Sequence, residues 1–583
     1  MTARWTLRLG GHDLPDRALI GGKAWSIARM AALGLPVPPA FVITTRACAA
    51  ARDGAFPEGL AEEIAEGMAW LEAQTGRRFG AGPAPLLVSV RSGAPVSMPG
   101  MMDTILNMGI CEATEGALAA ETGDAAFARD THRRFWDLYA HIVLKSGIDG
   151  FDPGGTPATW AQALAAAGGA TMPPAPGDRL HAAIRAVFDS WNSRRAKRYR
   201  AHHGIPDDLG TAVTVQAMVF GNLSDTSGTG VMFSRNPITG ERVPYGEYLP
   251  RAQGEDVVSG KFTPRPLAAM LESVPEACHA LLAAAERLEQ DSGDVQDIEF
   301  TVQNGRLYLL QSRAAKRAPA AAVRIAVEMV REGRISPATA LGHVTPDQVR
   351  TVLAPRLPEA TAAAATVLAQ GEAACPGIGI GVVVTDTDEA ERLAATGADV
   401  ILARATTSPE DLHGMIVARA VITEQGGSTS HAAVVSRALG VACVVGCGLG
   451  QVTALAGQTV TVDGATGRIY RGALAALVPD ELNDADLAML RGWAEAASPV
   501  TVLPFGTDVP GLVDLNAAEG GEDPANLPRL LTGATAATGG ALSTEAGMAA
   551  ALAAGVRTIT GTPSLPLLVA AARAARQTRE TRT

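Results

Sequence analysis

One short stretch of the chain combines residues that could accept and hold a phosphoryl group. In ITEQGGSTSHAAVVSRAL, a glycine pair and three hydroxyl residues lead to His431. The apolar pattern AAVVSRAL predicts a helix that begins at this histidine, so free N–H groups and the positive end of the helix dipole would lie beside the ring. A neutral imidazole in that setting can attack phosphorus. The same spacing fits a Ser/Thr helix cap with an incidental histidine, and the pattern alone leaves both interpretations open.

A second stretch, QDIEFTVQNGRLYLLQSR, predicts a β-hairpin because Asn-Gly lies between two alternating runs. Asp297 and Glu299 are two residues apart and therefore share one face of the first strand. Carboxylates placed in this way can hold Mg²⁺ that bridges phosphate oxygens, since this ion prefers oxygen ligands. Gln311 and Arg313 lie on the returning strand. A solvated hairpin with alternating charge is the competing interpretation.

Lysine is rare in this chain, so each lysine is a stronger candidate for a functional residue. Of the 49 basic residues only five are lysines, and the others are arginines. Lys23 follows a glycine pair in IGGKAWS, and its retention in a chain that otherwise uses arginine indicates a need for a compact ammonium in place of a guanidinium. A solvated lysine at the start of a helix is the alternative. The chain contains no G-x-x-x-x-G-K-[ST] motif, which excludes a P-loop.

Composition and charge exclude several classes of protein. The net charge of −11, with no basic stripe or tail, argues against nucleic-acid binding. No uncharged apolar run reaches the roughly 20 residues of a membrane span, and the first residues lack a signal-peptide core. The six cysteines are scattered without the spacing of a zinc site. Reduced thiols and a cytoplasmic location are therefore expected, with no membrane partner.

Two longer stretches carry a resemblance to a known family. TEQGGSTSHAAVVSRALGVACVVGCG resembles the phosphohistidine motif of the pyruvate phosphate dikinase and phosphoenolpyruvate synthase family. SVRSGAPVSMPGMMDTILNMG is similar to the dikinase branch in particular. The resemblance implies that His431 carries the phosphoryl group and that Arg404, Thr429 and Ser430 contact the phosphate, although a surface ion pair would also explain Arg404. Thr429 occupies the position of a regulatory threonine in some members, and Ser428 replaces the family's methionine.

The resemblance also implies an ATP-grasp domain with ATP as the phosphoryl donor and Mg²⁺ as cofactor. The residues assigned to nucleotide binding are Lys23, Arg91, Asp297, Glu299, Gln311 and Arg313, with Asp297 and Glu299 as the metal ligands. The loop from Ser97 to Thr104 would close over the phosphates. Pro95 stands where many relatives have arginine. Weaker assignments near the site are Arg235, Glu247, Gln253 and Glu255.

An α/β multidomain fold follows from these patterns and the resemblance. The predicted segments are an ATP-grasp nucleotide-binding domain at 1–317 with a helical insert at 113–205, a helical linker at 318–372, a swivelling phosphohistidine α/β domain at 373–475, a linker helix at 476–497 and a short C-terminal α/β segment at 498–583. The last segment stands in place of a (β/α)₈ barrel, which typically needs about 250 residues.

Three functions remain open at this stage. In the first, the chain uses ATP, and inorganic phosphate as second acceptor, to phosphorylate His431, and a separate barrel subunit supplies the site for pyruvate or phosphoenolpyruvate. In the second, a different small molecule is the acceptor, bound by the C-terminal segment or by a partner. In the third, the chain is a non-catalytic nucleotide-binding scaffold. A homo-oligomer is expected.

Overall fold

The computed structural model describes residues 4–11, 13–51, 55–96, 98, 104–148, 150–168, 171–203, 205–258, 263–427, 430–439 and 441–580. The chain forms two compact units. The first contains Met1–Pro237 and Arg242–Lys316, and the second contains Ile238–Glu241 and Arg317–Thr583. Both units mix helices with sheets, so the protein is an α/β multidomain protein. Within the described ranges, no helix is both long enough and apolar enough to cross a membrane.

The first unit contains two five-stranded sheets. Their strand orders are β1-β2-β7-β5-β6 and β10-β9-β8-β11-β12, and β3 pairs with β4 separately. The strands are β1 (Thr6–Leu9), β2 (Ala40–Ile43), β3 (Arg78–Phe79), β4 (Pro85–Leu86), β5 (Val88–Gly93), β6 (Thr104–Met108), β7 (Ala212–Ala217), β8 (Gly228–Phe233), β9 (Tyr245–Pro250), β10 (Arg265–Pro266), β11 (Gln296–Gln303) and β12 (Arg306–Ala314).

The helices of the first unit cover both sheets. They are α1 (Arg17–Ala32), α2 (Thr45–Ala50), α3 (Leu60–Thr75), α4 (Glu112–Thr122), α5 (Ala125–Ile142), α6 (Pro157–Ala166), α7 (Pro176–Trp191), α8 (Arg194–His203), α9 (Gly254–Val258), α10 (Met270–Ser273) and α11 (Pro275–Ser292). Helix α1 supplies Ile20, Ala24 and Ile27 to a core that also contains Val42 of the first sheet and Phe300 of the second. This helix therefore fixes its polar residues relative to both sheets.

The predicted Asn-Gly hairpin is confirmed. Strands β11 and β12 pair antiparallel, with Asp297 opposite Arg313 and Glu299 opposite Gln311. Asn304 and Gly305 both have positive φ, at 49° and 76°, which is the geometry that a two-residue turn of this type requires.

The second unit contains an eight-stranded sheet with the order β13-β20-β19-β15-β16-β17-β18-β14. Its strands are β13 (Val367–Gln370), β14 (Glu372–Cys375), β15 (Ile378–Val384), β16 (Val400–Arg404), β17 (Ala420–Thr423), β18 (Ala442–Val445), β19 (Thr459–Asp463) and β20 (Arg468–Arg471). The outermost strands β13 and β14 are separated along the chain by Gly371 alone, so one extended segment supplies both edges of the sheet. Strands β15 to β18 are parallel to their neighbours in this series.

The range predicted as a helical linker, 318–372, ends in a strand. Its helices stop at Ala364, and Val367–Gln370 pairs antiparallel with β20. Pairing with the edge of a sheet outweighs the helix propensity of this alanine-rich segment, because propensity is a weak preference that tertiary contacts override.

A second, four-stranded sheet follows in this unit. Its strands are β21 (Thr501–Leu503), β22 (Leu512–Asp514), β23 (Ala536–Thr538) and β24 (Thr558–Thr560). Their order is β21-β24-β23-β22, and every pairing is parallel. The helices of the unit are α12 (Pro319–Arg331), α13 (Pro337–His343), α14 (Pro346–Leu353), α15 (Glu359–Ala364), α16 (Thr387–Ala395), α17 (Leu412–Val417), α18 (His431–Leu439), α19 (Ala485–Ala497), α20 (Leu527–Leu530), α21 (Glu545–Ala554) and α22 (Leu565–Glu580).

Helices that precede the eight-stranded sheet in the chain, and helix α19, which follows it, share one hydrophobic core with the C-terminal helix α22. Val323 of α12, Val349 of α14, Leu490 of α19 and Leu568 of α22 all belong to it. The segments predicted as linkers are therefore joined to the C-terminal segment by apolar packing. This burial stabilises the attachment by about 25 cal/mol for each Å² of apolar surface removed from water.

We expect Leu490→Ala to lower the free energy of unfolding of the second unit by about 2–5 kcal/mol, because Leu490 is fully buried in this shared core. The control Leu482→Ala changes a side chain that is 64% exposed and should stay within about 0.5 kcal/mol. Denaturant unfolding followed by circular dichroism measures both. Equal stability of the two variants would contradict the packing described for α19.

Candidate functional site

Lys23 is positioned by a break in the first helix. Asp16 caps α1 by accepting a hydrogen bond from the Ala18 N–H (2.9 Å). Gly21 interrupts the helical backbone with φ 75°, and a Cβ there would collide with the carbonyl oxygen of Gly93. The Gly22 N–H donates to the Ala94 carbonyl (3.0 Å). The glycine thus lets the backbone of α1 approach the end of β5, and Lys23 follows directly.

Arg91 connects the two sheets of the first unit. It lies on β5, where its Nη1 donates to the Gln216 Oε1 of β7 (3.3 Å). Its Nη2 lies 3.7 Å from Glu299 Oε2 of β11. The Arg91 side chain is 13% exposed, so little solvent screens this charge.

The hairpin contributes a pair of carboxylates to the same place. Arg313 Nε donates to Asp297 Oδ2 (2.8 Å) across the two strands. The other oxygen, Asp297 Oδ1, is buried and accepts no hydrogen bond from any described residue. Glu299 is opposite Gln311 and reaches Arg91 as described above. A buried carboxylate oxygen without a partner has a free energy cost, which a bound cation would remove.

The electrostatic environment of Lys23 reflects this cluster. Burial, followed by the nearby Arg91, lowers the pKa of Lys23 to about 8. Glu299 opposes this effect and Arg313 adds to it. Three cationic groups therefore face two carboxylates in a partly buried site, an arrangement that favours an anionic ligand.

The carboxylate pair fits a shared Mg²⁺ site. No three His, Cys, Asp or Glu side chains of the described ranges cluster closely enough to hold a metal ion by themselves. Asp297 and Glu299 would therefore provide only part of the coordination. Magnesium commonly takes one or two protein carboxylates and completes its shell with phosphate oxygens and water. The unpartnered Asp297 Oδ1 is the oxygen available for this.

Some residues that were given weaker assignments have other contacts. Arg235 is fully buried and pairs with Glu289, with its Nη2 2.8 Å from Glu289 Oε1. This pair holds β8 to α11, so Arg235 has a structural contact that its sequence motif did not indicate. Gln253 Nε2 donates to Asn222 Oδ1 (3.3 Å). Glu247 lies on β9 opposite Val231. Glu255 lies in α9, and its side chain is outside the described part of the chain.

His431 lies at the first position of α18, as the sequence pattern predicts. Its Nδ1 is 3.1 Å from the hydroxyl oxygen of Thr407. Ser430 caps the helix by accepting from the Ala433 N–H (3.4 Å). The helix-cap interpretation and the reactive-histidine interpretation are therefore compatible, because the cap is Ser430 and the ring next to it is half-buried.

Sequence reasoning missed Thr407. It lies three residues after Arg404 in the stretch ILARATTSPEDLHGM. Its contact with His431 spans 24 residues and depends on the parallel neighbours β16 and β17. The loops that follow these two strands meet at one edge of the sheet, where the Gln425 N–H donates to the Ala405 carbonyl (3.0 Å). Only the strand pairing could have indicated this contact.

Arg404 ends β16 and is partly engaged. Its Nη2 pairs with Asp411 Oδ1 (3.0 Å) and its Nη1 donates to the Thr385 carbonyl (2.9 Å). Its Nε is buried without a partner among the described residues. The ion pair with Asp411 thus accounts for only part of the Arg404 guanidinium. The Nε–H remains available to donate to another group. Thr429, together with residues 97 and 99–103 of the predicted phosphate loop, lies outside the described residues.

Two family models match separate ranges of the chain. Residues 50–273 match the family model described as pyruvate phosphate dikinase, AMP/ATP-binding domain. Residues 396–467, which include His431, match the model described as PEP-utilising enzyme, mobile domain. The chain is thus a member of the PEP-utilising enzymes.

Individual relatives define the family more closely. The chain is 40% identical to a pyruvate, phosphate dikinase of Rhizobium meliloti over 86% of its own length and 61% of the relative's. It is 41% identical to pyruvate, phosphate dikinase 2 of Zea mays (84% and 59%) and 40% identical to the Clostridium symbiosum protein of the same name (81% and 58%). The chain therefore belongs to the pyruvate phosphate dikinase family, and it spans about three fifths of the length of these relatives.

We expect the affinity for ATP to fall as pH rises through about 8, by up to about tenfold for each pH unit above it. The reason is that Lys23 then loses its charge and a neutral amine does not attract phosphate. Lys23→Arg should remove this pH dependence, since a guanidinium stays charged. Calorimetric titration with ATP and Mg²⁺ between about pH 7 and 9 measures it.

The matched control is Lys197→Arg, which changes an exposed lysine of α8 and should keep the pH dependence of the unaltered chain. A pH profile that is the same in Lys23→Arg and in the unaltered chain would show that Lys23 does not contact the nucleotide.

Proposed function

We propose that this protein is a pyruvate phosphate dikinase-type phosphotransferase that uses ATP to phosphorylate its own His431 and then passes the phosphoryl group to an acceptor. The observation that carries the proposal is the convergence of Lys23, Arg91 and Arg313 on the carboxylates of one hairpin. The proposal is supported by the name of the relatives, pyruvate, phosphate dikinase, and by the matched AMP/ATP-binding and mobile domains.

The nucleotide-binding part of the proposal assigns a role to each residue. Lys23, Arg91 and Arg313 bind and neutralise the phosphates, and Gln311 lies beside Glu299 on the neighbouring strand. Asp297 and Glu299 hold Mg²⁺, which supplies charge neutralisation at the phosphate oxygens. Such preorganised charges stabilise negative charge that develops during transfer, and each typically contributes about 10²- to 10³-fold in rate.

The acceptor part rests on the tautomer of His431. When Nδ1 carries the proton, the Nδ1–H donates a hydrogen bond to the Thr407 hydroxyl oxygen. The lone pair of Nε2 is then free to attack phosphorus. A bond forms between Nε2 and phosphorus while the bond between phosphorus and the leaving phosphate oxygen breaks, and the Nδ1 proton stays in place. The N-terminus of α18, Ser430, Thr429 and Arg404 stabilise the resulting phosphate. In this proposal Thr429 is also the regulatory position, where a modification would control the phosphorylation of His431.

The dikinase branch defines which phosphoryl group moves. In the proposal, the β-phosphoryl group of ATP reaches His431 and the γ-phosphoryl group goes to inorganic phosphate, leaving AMP and pyrophosphate. The acceptor of the phosphohistidine is pyruvate, bound on a separate barrel-bearing subunit. The relatives are named pyruvate, phosphate dikinases, and this name supports pyruvate and phosphate as substrates. In this proposal the protein acts as a homo-oligomer in the cytoplasm.

A second acceptor is favoured by one observation. Residues 498–580 form a parallel sheet whose strand ends enclose a cavity of about 230 Å³. In this alternative, a small molecule bound by the C-terminal segment accepts the phosphoryl group. Turnover by the homogeneous chain with such a molecule, and without any barrel subunit, would distinguish the alternative from the first acceptor.

In the presence of inorganic phosphate, which takes the γ-phosphoryl group, we expect His431 to become labelled from [β-³²P]ATP, and not from [γ-³²P]ATP, in a linkage that is acid-labile and base-stable because phosphohistidine is a phosphoramidate. His431→Ala should abolish the label. Autoradiography after acid and base treatment measures it, and His413→Ala, which changes a partly exposed histidine of α17, is the matched control. Label that persists in His431→Ala would overturn the assignment, and an unaltered chain that never labels would support the scaffold interpretation.

We expect Thr407→Val to slow the labelling of His431 by about fivefold, because loss of one hydrogen bond of about 1 kcal/mol releases the ring from its reactive tautomer. Thr407→Ser should restore the rate, since it keeps the hydroxyl. Single-turnover labelling with rapid quench measures all three chains. An unchanged rate in Thr407→Val would show that the contact does not position His431.

A further inference from the structure

The C-terminal sheet has the arrangement in which α/β proteins hold ligands. Its four strands are parallel, so the loops that follow them all lie at one edge. Open α/β sheets bind ligands in the crevice outside the carboxyl ends of their strands. The cavity of about 230 Å³ lies at this edge, next to Phe505, Asn516, Gly539 and Thr562, each from the loop after a different strand.

The lining of the cavity carries one kind of charge. Arg350 of α14 is the charged residue of the lining, and no Asp or Glu of the described chain lines the cavity. Arg350 donates to the carbonyl and the hydroxyl of Ser543 and pairs with Asp347. The Asp347 side chain is 76% exposed, so solvent weakens this pair. The guanidinium can therefore attract an anion in the cavity.

Asn516 presents a fixed amide at the same edge. Its Oδ1 accepts from the Gly540 N–H (2.8 Å), which leaves Nδ2 without an acceptor among the described residues. Gly539 has φ 72°, and a Cβ there would collide with the Asn516 amide. Glycine at this position thus allows the loop after β23 to pack against Asn516, and the amide keeps its orientation.

The remaining lining defines the ligand's other contacts. The hydroxyls of Thr538, Thr560 and Thr562 lie at the strand ends, and the Thr538 hydroxyl donates to the Thr560 carbonyl (2.8 Å). Phe505 is 68% exposed at the rim. At the N-terminus of α22, Glu481 accepts from the Ser564 N–H (3.3 Å) and the Leu565 N–H (2.9 Å).

We infer that this cavity is a binding site for a small anionic metabolite, whose carboxylate or phosphate group contacts Arg350 and Asn516. The volume is below the range of about 300–1,000 Å³ that drug-sized ligands occupy, so the ligand has few heavy atoms. The Thr560 and Thr562 hydroxyls would donate to its oxygen substituents, and Phe505 would cover it. This inference depends on α14 and the C-terminal segment of the second unit and not on His431, so a chain that never labels His431 can still satisfy it.

Fluorine NMR of the full chain tests the site locally. The chain is labelled with 4-fluorophenylalanine at its 12 phenylalanines, and the Phe505 resonance is identified by its loss in Phe505→Leu. Inorganic phosphate and pyruvate are titrated separately at millimolar concentrations. We expect a saturable shift of the Phe505 resonance with at least one probe. A response to phosphate alone identifies a phosphate ligand, and a response to pyruvate alone identifies a carboxylate.

Two substitutions and one control complete the test. Arg350→Gln removes the cation, and Asn516→Asp keeps the acceptor for the Gly540 N–H while adding a repelling charge. Each should weaken binding at least tenfold, whereas Arg356→Gln, which changes an exposed arginine of the same unit, should not. The Phe505 resonance without ligand reports whether each variant is folded. The absence of a saturable shift with both probes, or a shift that neither substitution weakens, would overturn the inference.

Discussion

The concentration of positive charge around one β-hairpin is the constraint that organises the first unit. Lys23, Arg91 and Arg313 come from a helix and from both five-stranded sheets, and they share the carboxylates of Asp297 and Glu299. Mutual repulsion among these cations destabilises the chain in the absence of an anion. The buried core around α1 must offset this cost, and the broken start of that helix is what allows the lysine to approach Arg91.

In the second unit the candidate site depends on single hydrogen bonds and not on a cluster of charges. Its reactive candidate is a single half-buried ring, which is oriented by one hydroxyl and by the start of a capped helix. Here orientation matters more than charge, because an imidazole is nucleophilic only through the nitrogen that lacks a proton. The charged cluster around the hairpin and the histidine with its hydroxyl partner are therefore each held within one folded body.

Local patterns predicted the parts of both sites that depend on neighbours in sequence. The Asn-Gly hairpin fixed the pairing of Asp297 with Arg313, and the apolar run after His431 fixed the start of α18. Contacts between distant segments were not predictable from such patterns. The partner of Arg235 is a glutamate 54 residues away, and Thr407 reaches His431 only because β16 and β17 are adjacent. The strand at Val367–Gln370 was also missed, because an alanine-rich segment favours helix until an edge strand becomes available.

The edges of the eight-stranded sheet have a consequence for recognition. Strands β13 and β14 lie at the two ends of the strand order yet are joined through Gly371, whose N–H donates to the Gly467 carbonyl (2.9 Å). An edge strand presents a row of free backbone groups to which another polypeptide can add a strand. In the described part of this sheet β13 and β14 each pair on one side, with β20 and with β18, and each has only four residues. Edges this short offer few backbone groups, so a protein that engages the mobile domain must recognise mainly side chains and loops. The specificity of that encounter can therefore change by substitution without altering the backbone of the sheet.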